Sequence, residues 1–177
     1  MDIYIAYGFS ILTAVVAIVM MQFKSMTLIL IGQITANLLT ALSYFFVGGW
    51  SGSGICFIAI IQSVIMFFYD RKKIKPQLWV ILFFIAAYVT CSAILFSSVF
   101  DIFSAAAAVC FAISIVQKNP FFSRIWYAAD MLLWTVYDIS CRQYGNLIMH
   151  AVIFLSTFIA MIRVDGLFRK KTNAENK

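Results

Sequence analysis

Two carboxylates, two large aromatic rings and the chain's single histidine lie close together in the stretch Ile125–His150. At 100° per residue, Asp130, Trp134, Tyr137 and Cys141 fall on one narrow helical stripe, with Asp138 at its edge. Carboxylates beside aromatic faces suit a cation, and the faces also stack on planar rings. Asp138 stands four residues before Arg142, the spacing of a surface ion pair. It is also about as far from the Tyr144–Gly145 turn as His150 is, so a helical hairpin would place Asp138 and His150 at one depth. There the pair would relay a proton, or simply orient the imidazole. A second polar stripe, Gln33, Asn37, Thr40 and Tyr44, has the spacing i, i+4, i+7, i+11 of one helix face. Its bland alternative is hydrogen bonding between helices, worth about 1 kcal/mol per contact in a membrane. For Gln33 and Thr40 that reading weighs as much as a binding role.

The elements that carry these groups follow from composition. The chain has 177 residues, 64% of them hydrophobic and 11% charged, with a mean hydropathy of +0.98. Such a chain is not a water-soluble domain. Seven apolar runs are readable: Ile3–Phe23, Met26–Val47, Ile55–Tyr69, Leu78–Phe96, Ile102–Val116, Ile125–Ile139 and Leu147–Ile162. The expected fold is an all-α membrane protein of seven transmembrane helices. Its Met-Asp start lacks a basic n-region, so the first run reads as a retained span.

Basic residues set the expected orientation. With the N-terminus outside and the C-terminus inside, all of the thirteen Lys and Arg except Arg142 fall on the cytoplasmic side. Net charge +6 therefore points to membrane topology and not to nucleic acid.

The chain also repeats. A shift of 93 residues lays Asn37 on Asp130, Tyr44 on Tyr137, Gly52 on Gly145 and Ser63 on Ser156. Spans 1–3 then match spans 5–7, and span 4 is a linker. This 3+1+3 plan makes the two three-helix units parallel repeats about an axis along the membrane normal. The expected divisions are residues 1–75, a linker helix at 76–98, a second unit at 99–168, and a basic tail at 169–177. Under this symmetry the two polar stripes face one another across a central cavity. Arg124 and Arg142 bracket span 6 about 27 Å apart, which puts Trp134 near the midplane. Asp130 then lies too deep to reach water without a partner, a proton or a wet cavity. Arg124 stands six residues away, a poor spacing for direct contact.

Enzyme chemistry finds no support. The chain has one histidine, no HExxH, no GxSxG and no Gly-rich phosphate loop. Cys56, Cys91, Cys110 and Cys141 are scattered without a CxxC and read as packed small hydrophobes, so neither a metal nor a cofactor is expected.

With Trp134-x-x-Tyr137-Asp138, Gly145 and Arg163 closing the last helix, the chain resembles the YgjV-type bacterial inner-membrane proteins over nearly its whole length. That resemblance implies a location and not a reaction. The 3+1+3 plan is also similar to SWEET and PnuC transporters of sugars and vitamin nucleosides. The chain departs from both. Its only Pro-Gln dipeptide, Pro76–Gln77, precedes span 4, and Trp134-x-x-Tyr137 stands where PnuC-type proteins carry Trp-x-x-Trp.

The expected function is a small-molecule transporter or facilitator for a vitamin-, nucleoside- or cation-like solute. Substrate contacts are expected at Gln33, Asn37, Tyr44, Asp130, Trp134 and Tyr137, with Asp138 and His150 gating or coupling protons. Its partners would be the lipid bilayer and a small-molecule substrate; self-association stays open. The alternative is a non-transporting receptor or assembly factor using the same cavity.

Overall fold

A computed structural model describes residues 2–96, 98–141 and 143–165. They form seven helices: α1 (Asp2–Met21), α2 (Met26–Phe46), α3 (Trp50–Arg71), α4 (Leu78–Ile94), α5 (Asp101–Val116), α6 (Pro120–Cys141) and α7 (Tyr144–Arg163). Arg142, on which one end of the charge pattern rests, and the basic tail at 169–177 lie outside the described residues.

Three helices begin three or more residues before their apolar runs, each for a local reason. Gly48, Gly49, Gly52 and Gly54 read as a flexible turn, yet Gly52 and Gly54 lie in the first turns of α3. The small residues there let the helix close on the Tyr44 ring: a Cβ on Gly52 would stand 2.9 Å from Tyr44 Cγ. Pro120 reads as a separator but is the first residue of α6, where a missing N–H costs nothing. Asn119 caps that helix by accepting the Phe121 N–H at 3.0 Å. At the start of α7, Gly145 packs on the Tyr7 ring so closely that a Cβ there would fall 2.4 Å from Tyr7 Cδ1. The α2–α3 turn needs Gly48, which has φ +78°.

Four helices, α1, α2, α3 and α7, are long and apolar enough to cross a membrane. The shorter apolar α4 and α5 have 17 and 16 residues, about 26 and 24 Å of helix. The 22-residue α6 has the length, but it carries Arg124, Asp130 and Asp138.

Neighbour contacts run α1–α2–α3–α5–α6–α7 and return to α1, which closes a ring, while α4 packs outside against α3 and α5. The outer faces carry Ile11, Val15 and Val19 of α1, Leu82 and Phe83 of α4, and Leu132 and Ile139 of α6, all exposed. Patches of this kind are a liability in water and the natural surface in lipid. Inside, Ser104, Ala107, Ala108 and Ala112 give α5 a buried face of small residues.

One end of the bundle collects the loops that hold the basic residues. Thr27 at the start of α2 donates to Asp70 at the end of α3. A cleft lined by Asp70, Ile74, Pro76 and Lys118 joins the α3–α4 and α5–α6 connections at that end. Arg124 completes it. This buried guanidinium donates from Nε to Met21 O at 3.1 Å, from Nη2 to Phe23 O, and from Nη1 to both carboxylate oxygens of Asp165 at 2.6 and 2.7 Å.

Candidate functional site

Helix α6 turns Tyr127, Asp130, Met131, Trp134, Tyr137 and Asp138 inward, and all six are buried. Their spacing is that of one inner face, and apolar residues take the lipid side. The interior they meet contains an internal cavity of about 40 Å³. Its polar wall consists of Thr13 from α1, Asn37 and Thr40 from α2, Asp130 from α6 and His150 from α7. Its aromatic wall consists of Tyr88 from α4, Phe111 from α5, and Tyr127 and Trp134 from α6.

Asp130 is 1% exposed. Trp134 lies one turn along the same face, and among the described residues Oδ1 has no hydrogen-bond partner. Buried polar groups are nearly always satisfied, so such an orphan oxygen marks a place where something else belongs. Asn37 spends its Nδ2 on Gln33 O at 2.9 Å and lines the same cavity.

Asp138 is used differently. Its Oδ1 accepts the Tyr44 hydroxyl at 3.1 Å, and its Oδ2 lies 2.6 Å from His150 Nδ1. With Asp138 ionised, Nδ1 carries the hydrogen of that bond. His150 stacks on Trp134 with centroids 5.8 Å apart, and Trp134 also meets Tyr44 at 5.7 Å and Tyr137 edge-on at 5.5 Å. Tyr44, Asp138 and His150 therefore tie α2, α6 and α7 together in one buried layer.

Toward the end away from Arg124, a further polar layer joins α1, α2 and α7. Asn146 Oδ1 accepts from Ser10 Oγ at 2.6 Å and from Ser43 Oγ at 3.1 Å, and the two hydroxyls are 2.9 Å apart. A cleft of about 230 Å³ reaches this knot, lined by Tyr7, Gln143 and Gly145 among others. Between the knot and the central cavity, Thr40 Oγ1 donates to Thr13 Oγ1 at 3.4 Å.

Of the residues expected from sequence, Asn37, Asp130, Trp134 and His150 line the cavity. Tyr44 and Asp138 form the layer beside it, and Tyr137 buttresses Trp134. Gln33 does not line the cavity; its amide is buried one turn away, and among the described residues neither atom has a hydrogen-bond partner. Sequence reasoning missed Tyr127, although it extends the Asp130 stripe by one turn, and also missed Tyr88, the Ser10–Ser43–Asn146 knot and Asp165. The first had a periodic signal; the others depend on which helices become neighbours. Cys56, Cys91 and Cys110 are free thiols.

The packing of Gly52 against Tyr44 makes a sharp prediction. Gly52→Ala forces the Tyr44 ring to move and is expected to destabilise by about 1–3 kcal/mol, read as a lower unfolding midpoint in detergent. An unchanged midpoint would mean that the ring has room to yield.

No curated protein and no solved structure matches the chain. A family model described as a bacterial inner membrane protein, YgjV, matches residues 4–167, and with its lipid-compatible surface around a polar interior the chain belongs to that family.

Proposed function

We propose that this protein is a small-molecule transporter or facilitator, working by alternating access through the central cavity between two three-helix units. The observation that carries the reading is Asp130, a buried carboxylate with an orphan oxygen that lines a cavity facing both α2 and α7. A structural carboxylate would have its oxygens satisfied, as those of Asp138 are.

Several features support the two-unit plan. Met26 and Pro120, which open α2 and α6, are 94 residues apart, as are Trp50 and Tyr144, which open α3 and α7. These offsets agree with the sequence shift to within one residue. The basic loops gather at one end, in keeping with an N-out, C-in orientation. In this plan the SWEET and PnuC transporters are the architectural parallel, and a binding site between repeats near the midplane is the usual arrangement.

The parts then take roles. Asp130 and Asn37 hold polar groups of the solute, and Trp134, buttressed by Tyr137, stacks on it. Tyr44, Asp138 and His150 form the outer gate with the Asn146 knot beyond, while Arg124, gripping the end of α1, closes the inner side. Gln33 supports Asn37 from one turn below. With no nucleotide-binding motif, movement follows a gradient or a partner.

The test is a thermal-shift screen of purified protein against nucleosides, vitamins, sugars and organic cations, followed by flux of each hit in liposomes. The expected result is a stabilising solute that crosses only with wild-type protein and not with Asp130→Asn. Saturable binding without flux would replace transport by the receptor reading.

A further inference from the structure

The charges around the central cavity identify what it can hold. Among the described residues no Lys or Arg lines it. The nearest guanidinium on α6, Arg124, is committed to Asp165 and two carbonyls at the end of the bundle. With Asp138 ionised, Asp138 and His150 form a pair whose summed charge is −1 or zero, whichever protonation state the imidazole takes. The remaining titratable groups facing the space, Tyr88, Tyr127 and Cys56, are neutral or acidic. With Asp138 ionised, the wall carries no net positive charge to hold an anion. It offers a cation Asp130, with an acceptor oxygen that none of the described residues occupies.

The surroundings of that oxygen select among cations. Among the described residues no group of three His, Cys, Asp or Glu side chains could hold a metal ion. Tyr88, Phe111, Tyr127 and Trp134 instead supply aromatic faces, which attract ammonium groups and accept apolar carbon. Size selects further. At about 10–15 Å³ per water, a cavity of about 40 Å³ takes about three or four waters or one ion of up to about four heavy atoms.

We infer that the cargo of this site is an organic cation, a small primary ammonium whose N–H groups bond Asp130 and whose carbon lies against the Trp134 and Tyr127 rings. The inference rests on the central-cavity reading above and adds the sign and size of the solute. Larger ammonium ions bind more weakly because they require the cavity to open.

The test is equilibrium binding of tritium-labelled methylammonium to the purified full chain, with unlabelled ethylammonium, choline, acetamide and acetate as competitors. Expected is saturable binding competed by ethylammonium, weakly by choline, and by neither acetamide nor acetate. Asp130→Asn is expected to weaken it by more than about tenfold, because a charge-assisted hydrogen bond becomes a neutral one. The competition series needs no variant, so it decides the matter even where Asp130→Asn fails to fold. Absence of methylammonium binding overturns the inference, as does competition by acetate or acetamide, or undiminished binding in a monodisperse Asp130→Asn protein. Any of these leaves transport of another solute standing. Conversely, methylammonium that binds through Asp130 but does not cross liposomes upholds the inference and removes the transport reading.

Discussion

Asp165→Ala is expected to destabilise the protein by about 3 kcal/mol or more, the scale of breaking a buried ion pair from one side. Arg124 is 1% exposed, and one of its nitrogens holds both Asp165 oxygens. Removing the acid leaves a full positive charge facing only the carbonyls of Met21 and Phe23. Arg124→Met removes the charge together with its demand for partners. It leaves Asp165 at the rim, 14% exposed, where water can solvate it. The arginine variant is therefore expected to cost less than the aspartate variant, and the double change Arg124→Met with Asp165→Ala less than the sum of the two. Equilibrium unfolding in mixed detergent measures all three. If Asp165→Ala unfolds with the wild type, the guanidinium is hydrated in solution and the clamp on α1 is weak.

The second large effect has the opposite sign for the same residue type. Asp130→Leu is expected to raise stability by about 1 kcal/mol or more, since it replaces an orphaned buried acid with a residue that packs. The same variant is expected to reduce solute flux to the level of protein-free liposomes. Gain of stability with loss of activity is the signature of a side chain kept for function. A strong destabilisation by Asp130→Leu would instead assign the carboxylate to the architecture, with a partner formed inside the membrane.

Much of the helical plan was readable from the sequence, because long apolar runs interrupted by charge report directly on helices in lipid. Where starts were misplaced, at Trp50, Pro120 and Tyr144, the first turn holds a glycine or a proline whose meaning depends on a neighbour. In isolation Gly52 reads as flexibility and Gly145 as part of a turn, but each is the flat surface on which a tyrosine ring rests. The polar stripes were readable too, since a face is a property of one helix. How far along a stripe the cavity extends was not. The α2 stripe runs from Gln33 to Tyr44, whereas the cavity opens only at Asn37 and Thr40. The Ser10–Ser43–Asn146 knot and the Arg124–Asp165 pair join residues more than thirty positions apart, and no periodicity announces them.

The closed ring has a consequence for biosynthesis. Since α1 and α7 are neighbours, the first helix made must wait in the bilayer for the last. Its polar face survives that wait because Ser10 can donate to Ala6 O and Thr13 to Phe9 O within the same helix. Thr40 does the same in α2, donating to Ala36 O. A carboxylate has no hydrogen to give its own helix, and Arg124 finds its partners at the end of α1 and beyond α7. Hydroxyl-bearing helices can thus enter lipid singly and exchange an internal bond for an external one later. Helix α6 can enter only in company, so its insertion is the step at which the polar interior is assembled.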